Sequence, residues 1–448
     1  MSTTYRPYDP DQLLLLPASL KEWLPEGHLT YFVSDAVDAL DLKAFHARYE
    51  GDGRRRQPFD PSMMVKVLMY AYASGVFSSR KIATRMEEDV AFRVLGAGNF
   101  PAHRTIREFR QLHLREFSAL FVQVVQLANE SGLVKLGRIG IDGTKLKANA
   151  SKHKAMSYGR MREEETRLKA EIADLMKQAE TEDTAEDARY GVDRRGDELP
   201  EELARREQRL KVIQAAKVRL EARQHQADQA AGRTVDEDGQ TRGPGGRACK
   251  RGLGVPEDKA QDNFTDPESR IMKTADGFQQ GYNAQAAVDD GSQLIVATGL
   301  TDCAADNGQL LPMVRATRQN TGRFPAMTLA DSGYASEDNF AALEAQSLTA
   351  CVALAREGKK IRPIIDPVAQ PATQRMAERL KTPAGEAHYR RRKVIPEPVF
   401  GWIKQVMGFR RFSVRGLQAV TGEWNLVCMA LNLKRMRTLG WMPQAISA

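Results

Sequence analysis

Two hydrophobic periodicities divide the chain, and no single regular architecture satisfies both. From about Asp60 to Leu133 apolar residues recur three and four apart, as in "PSMMVKVLMYAYASGVFSSRKIATRMEEDVAFRVL", the spacing of helices that bury one face. From Arg138 the apolar runs become short and strand-like: "RIGI", then "GYNAQAAVDDGSQLIVATGLTD", whose "DDGS" marks a hairpin, then "AMTLAD" and "TACVALA". An all-α unit followed by a sheet-bearing one predicts an α+β multidomain protein, and 448 residues give each unit enough chain to bury a core.

A third composition interrupts the sheet. Between Met156 and Gly232 the chain is rich in Glu, Arg, Lys, Ala and Gln. Leu168, Ile172 and Leu175, then Leu203, Leu210, Ile213 and Leu220, mark narrow apolar stripes. These predict two long helices paired as a hairpin, with "TAEDARYGVDRRGDELP" as the polar break and Pro200 in a first turn. The same stripes suit a helical partner, so the hairpin is expected to bridge two subunits; the rival is a decoration folded on itself. The Gly-rich "GRTVDEDGQTRGPGGRACKRGLGVPEDKAQDN" reads as a loop that orders late or on a partner. Boundaries follow at 1–134, 135–155, 156–263 and 264–448.

Lys plus Arg outnumber Asp plus Glu by 66 to 58, for a formal charge of +8 and a pI near 9.2, which favours an anionic partner without naming it. Cys249, Cys303, Cys351 and Cys428 form no CxxC pair, so neither a disulfide framework nor a zinc knuckle is signalled. The N-terminal apolar run is only four leucines, far short of a membrane span, and a cytoplasmic location is expected. Within the helical unit, "SSRKIATRMEEDVAFRVLGAGNFPAHRTIREFRQLH" reads as a Ser-capped helix, a break at Gly96 to Gly98, and a basic helix from near Ala102. That layout is helix-turn-helix-like, with Arg104, Arg107 and Arg110 facing either DNA or solvent.

Asp142 and Asp331 each end an apolar strand. Taken singly, each fits an Asx-type turn before a glycine. Together they could converge at one sheet edge, where a third carboxylate would complete a magnesium site with the all-oxygen donor set that a hard cation prefers. Glu397 is the best third candidate, beginning its helix between Pro396 and Pro398. Glu423, expected to begin a later helix, and Asp302 and Asp306, expected to cap one, are second choices. Lys145, Lys147, Lys152 and Lys154 follow Asp142 and would run along a DNA backbone, or simply solvate a strand edge. Trp402 suits either base stacking or core packing.

In "YRRRKVIPEPVFGWIK", Tyr389 and Arg392 precede Glu397, and Lys404 follows it by two helical turns. This run, with "GIDGTKLKANASKHKA" and "LADSGYAS", resembles the DDE-class bacterial insertion-sequence transposases of the insertion sequence eleven-eighty-two group, over nearly the whole chain. The resemblance implies an RNase H-like α/β catalytic domain interrupted by the helical insertion. It implies Asp142, Asp331 and Glu397 as catalytic residues and as ligands of two Mg2+ ions, with Mn2+ as a substitute. It further implies double-stranded DNA partners (terminal inverted repeats and target), a homodimer or higher assembly on DNA, and a bacterial nucleoid setting. Tyr389, Arg392 and Lys404 would then contact DNA. Here four residues separate Arg392 from Glu397 where the broader pattern has three, so Lys393 occupies the strict arginine position. A DNA-binding repressor without catalysis, or an RNase H-like nuclease that does not join strands, are the rival readings.

Overall fold

The computed structural model describes residues 19–50, 57–151, 154–190, 201–274, 277–355 and 365–443; Lys152, Pro200 and the N-terminal leucine run lie outside them. The helical unit comprises α1 (Leu29–Asp38), α2 (Lys43–Ala47), α3 (Pro61–Ala73), α4 (Ser79–Glu88), α5 (Val90–Gly96), α6 (His103–Leu112) and α7 (Leu114–Glu130). Asp60 starts α3 by accepting the Met63 N–H at 2.9 Å, with Pro61 in the first turn. The stretch expected as one Ser-capped helix is two. Ser78 makes no side-chain cap, and Asp89, in extended backbone, splits α4 from α5 and caps the latter through the Ala91 N–H at 2.9 Å. After α5, Ala97 and Gly98 both take positive φ, and α6 begins behind Ala102.

Arg104 and Arg107 on α6 are exposed, but Arg110, expected to face DNA or solvent, is buried. It stands one residue past Phe109 and four past Ile106, on the buried face, where it donates to Phe77 O at 2.8 Å and Tyr72 Oη at 3.0 Å.

The chain then forms β1 (Arg138–Lys147) and enters the insertion: β2 (Ala155–Ser157), α8 (Tyr158–Tyr190), α9 (Glu201–Ala230), β3 (Thr234–Val235), β4 (Thr241–Arg242) and β5 (Gln261–Asn263). The hairpin is present, and much of its stripes is covered within it: Leu168, Ile213 and Leu220 are buried with Tyr158 and Met161, and Leu210 packs on them, while Ile172 and Leu175 are half-buried. The first part of the expected polar link, Thr184 to Tyr190, is helix, because no glycine or proline falls within it. The Gly-rich segment is also tied down: β5 pairs with β2, and fully buried Asp262 accepts from both Arg219 and Arg223.

The sheet resumes with β6 (Arg270–Thr274), β7 (Gly277–Asp289) and β8 (Ile295–Thr301), then α10 (Leu310–Thr321), β9 (Met327–Ala330), α11 (Glu337–Ala345) and β10 (Ala350–Val352). Strands run in the order β10-β9-β1-β7, with β6 and β8 pairing successive parts of β7. β9 and β10 are parallel to β1, whereas β7 is antiparallel to it. Helices α12 (Pro371–Lys381), α13 (Pro383–Arg390), α14 (Pro396–Gly401) and α15 (Leu417–Thr438) complete the chain.

The middle of α15, Gly422 to Leu433, is covered on all sides. It packs against α3, α7 and β8, so the N-terminal helices and the sheet share one core. Its polar residues serve the sheet: Trp424 donates to Gln285 O at 3.0 Å, and the Asn432 amide bonds both N–H and C=O of Ile295 at 2.9 and 2.8 Å. No helix of the described residues is long and apolar enough to cross a membrane.

Candidate active site

The parallel register of β1 and β9 sets Ile141 opposite Ala330, so Asp142 and Asp331 are the next residues on neighbouring strands. Each makes the local bond that the turn reading expects: Asp142 Oδ1 accepts the Gly143 N–H at 2.7 Å, and Asp331 Oδ1 accepts the Gly333 N–H at 2.8 Å. The Asp142 side chain is 20% exposed. Burial, then the charge of Asp331, push its pKa up to about 6, against the opposing effects of the Gly143 bond and the Arg392 guanidinium.

Asp306 is the acid that sequence reasoning undervalued. Its side chain makes no helix cap; Oδ1 instead accepts from Asn283 Nδ2 at 2.6 Å, Gln285 Nε2 at 2.9 Å and Lys145 Nζ at 3.0 Å. It also adds to the upward push on Asp142. Asp302, likewise expected as a cap, pairs with Arg270 at 2.7 Å. Gly143 makes room for this cluster: a Cβ there would lie 2.3 Å from Gln285 Nε2 and 2.9 Å from Asp306 Oδ1. The signal in the sequence was "YNAQAAV", where Asn283 and Gln285 alternate with alanines in a buried strand and so must meet a polar partner.

Lys145 is drawn to Asp306 and does not join an exposed lysine lane, whereas Lys147 and Lys154 are exposed. Arg392 is 7% exposed, sets its Nη1 3.9 Å from Asp142 Oδ2, and keeps a buried Nε without a hydrogen-bond partner. Its guanidinium lies 5.9 Å from the Tyr389 ring. Despite the longer spacing, Arg392 faces the acids and Lys393 is exposed. Asp306, Asp331, Ser332, Gly333, Tyr389 and Arg392 line an open cleft of ≈ 390 Å³.

Glu397 sits in the first turn of α14, as its flanking prolines predict, and is exposed. Ile395 and Pro396 pack on Gly140, where a Cβ would lie 2.8 Å from Pro396 Cδ. Gly140 and Asp142 share a strand face, so Glu397 comes from the helix that covers that face. The acids that act on Asp142 are Asp331 and Asp306, and no group of three possible ligands stands close enough to cage a metal among the described residues. Lys404 does not continue the Glu397 face, because the wider π turn Trp402–Val406 follows α14 and shifts the phase. Trp402 is half-buried with Arg435 over its ring at 5.3 Å, a packing role. Glu423 lies in the second turn of α15 and not at its start; it is fully buried, away from the cleft.

Two adjacent carboxylates with oxygen-only donors fit a hard cation that keeps several waters and shares substrate phosphate oxygens. The site can therefore gather charge at a phosphodiester. Residues 247–433 match the family model of the transposase DDE domain, and residues 18–112 match that of the transposase domain (DUF772). Asp331, Glu397 and Asp306 fall within the first match and the α6 arginines within the second, whereas Asp142 lies between the two. No curated protein and no solved structure matches the chain.

Proposed function

We propose, from the premise that the two matched domains mark a DDE-class transposase, that this chain belongs to the insertion sequence eleven-eighty-two group, binds the terminal inverted repeats of its element, cleaves the ends and joins the freed 3′-hydroxyl to target DNA. The observation that carries the chemistry is the register that brings Asp142 beside Asp331 under Arg392. An RNase H-like catalytic domain is supported by the strand sequence β8-β7-β1-β9-β10, a three-stranded antiparallel meander extended by two parallel strands. A helix-turn-helix role for α4 to α6 is supported by the exposed Arg104 and Arg107.

Asp142 and Asp331, with Glu397 from α14, would hold Mg2+ or Mn2+, which when bound stabilises the entering and leaving oxygens of an in-line displacement. Arg392 offsets the repulsion between the two aspartates and can hold a phosphate oxygen in the cleft. Lys147 and Lys154, exposed beyond the acids, contact the DNA backbone, as do Tyr389 and Lys393 beside the cleft. Processing two ends toward one target calls for a homodimer or higher assembly on DNA.

A gel assay with a labelled element end and Mg2+ tests the reading. Asp142→Asn, Asp331→Asn and Glu397→Gln should each lose cleavage while retaining end binding. Near-normal cleavage by any one removes that residue from the site, and full activity in EDTA ends the metal reading. Covalent attachment of a pre-cleaved end to a plasmid separates a transposase from a nuclease.

A further inference from the structure

β1 outruns its parallel neighbour. β9 ends opposite Ile141, whereas β1 continues to Lys147, and there a second segment takes the same edge. The Lys147 N–H donates to Arg410 O at 3.2 Å and the Phe412 N–H donates to Lys147 O at 2.9 Å, a parallel bridge between Lys147 and Arg411. One edge of β1 thus carries Asp331 beside Asp142 at its middle and Arg411 beside Lys147 at its end.

The bridging segment is built to present cations. Phe409, Phe412 and Val414 are buried, while Arg410 and Arg411 between them are exposed, as is Lys147. Behind it, Glu423 accepts the Ser413 N–H at 2.7 Å and the Val414 N–H at 3.4 Å, and fixes the backbone. Arg410 Nε donates to Lys404 O at 3.1 Å and its Nη2 to Gln405; Arg411 Nη2 donates to Asn149 Oδ1 at 3.0 Å. These acceptors are neutral, and neither guanidinium pairs with a carboxylate among the described residues, so both are oriented with their charge available. Arg415, next along the segment, bonds Asn149 O at 2.8 Å but has the Asp266 carboxylate nearby, so its charge is partly spent.

The five residue steps of extended strand from Asp142 to Lys147 span about 16 Å, the length of about five base pairs of duplex. We propose that Arg410 and Arg411, beside Lys147, form a platform for the phosphates of duplex DNA about five base pairs from the phosphodiester attacked at Asp142 and Asp331. The platform rests on the DNA-processing reading above. It carries no sequence preference, because phosphates carry none.

The test is equilibrium binding of a labelled element end and of a random duplex by the full chain over a series of KCl concentrations. In Arg410→Gln/Arg411→Gln the slope of log K against log salt should become shallower by about 0.9 per lost contact, about 1.8 in all, equally on both duplexes. Arg410→Lys/Arg411→Lys should keep the wild-type slope. Arg411 also ties down Asn149, so Arg410→Gln alone, at half the change, keeps the test intact if the double variant unfolds. Ethylation of phosphates about five positions from the cleavage point should block binding by the wild type and have little effect on the variant. An unchanged slope in Arg410→Gln, or a loss confined to one sequence, overturns the platform. Failure of the wild type to bind either duplex overturns the DNA-processing reading itself.

Discussion

Arg110→Met separates a DNA contact from a structural charge. Arg110 Nη1 lies 3.9 Å from Glu423 Oε1, and the Tyr72 hydroxyl between them accepts from Arg110 and donates to Glu423 at 2.8 Å. The two charged side chains are 4% and 0% exposed. Burial works against the Arg110 charge, yet Tyr72 and Glu423 leave its pKa above the ordinary value. Unit charges at this separation attract by about 4 kcal/mol at an effective dielectric near 20. Removing one partner of a buried pair costs about 3–5 kcal/mol, because the other is left uncompensated. Arg110→Met should therefore lower stability by that amount, and Arg110→Met/Glu423→Gln should recover part of it. Guanidinium unfolding followed by fluorescence reads the change, since Trp424 is fully buried beside Glu423. Below the unfolding midpoint the single variant should bind element-end DNA with wild-type affinity. A wild-type midpoint combined with weakened DNA binding would refute the burial argument and return Arg110 to the DNA interface.

The remaining predictions concern the cleft and α6. The folded-state pKa of Asp142 is pushed up to about 6 from an ordinary value of 3.8, so in metal-free protein the cost of ionising it is absent below about pH 4 and fully present once pH has risen through 6. Asp142→Asn should accordingly be more stable than wild type at pH 8, by up to roughly 3 kcal/mol, and equal to it near pH 3.5; thermal melts in EDTA at the two pH values check this, and an equal difference at both would contradict it. Gly143→Ala drives a methyl into Gln285 and Asp306 and should abolish end cleavage while end binding persists in the gel assay. Replacing Arg104 and Arg107 should relax preference for the terminal repeat by about 1–3 kcal/mol per lost base contact; competition with random duplex measures it, and equal losses on both DNAs would make them phosphate contacts.

Apolar pattern determined the type of the main elements but not all of their bounds. The three- and four-residue spacing of Met64, Val67, Leu68 and Ala71 marks a helix, and the short apolar runs before Asp142 and Asp331, bounded by turn residues, mark buried strands. The turn ahead of Ile295 and the paired helices of the insertion were legible for the same reason, since each is settled by residues near in sequence. Periodicity shows that a face is buried but not what covers it. The stripes of α8 and α9 read equally well as a partner surface, and only the fold shows that much of each covers the other. Charge behaves likewise: a basic residue on an amphipathic helix looks like a surface group until its distant counter-charge is known. Arg110 found Glu423 and Lys145 found Asp306, so neither is an exposed contact. The cluster around Asp142 belongs wholly to the tertiary structure, because parallel register is fixed by packing between distant segments and not by any local turn. That register set Asp331 beside Asp142, the amides of β7 drew Asp306 onto the same site, and the approach of α14 to Gly140 chose Arg392 over Lys393.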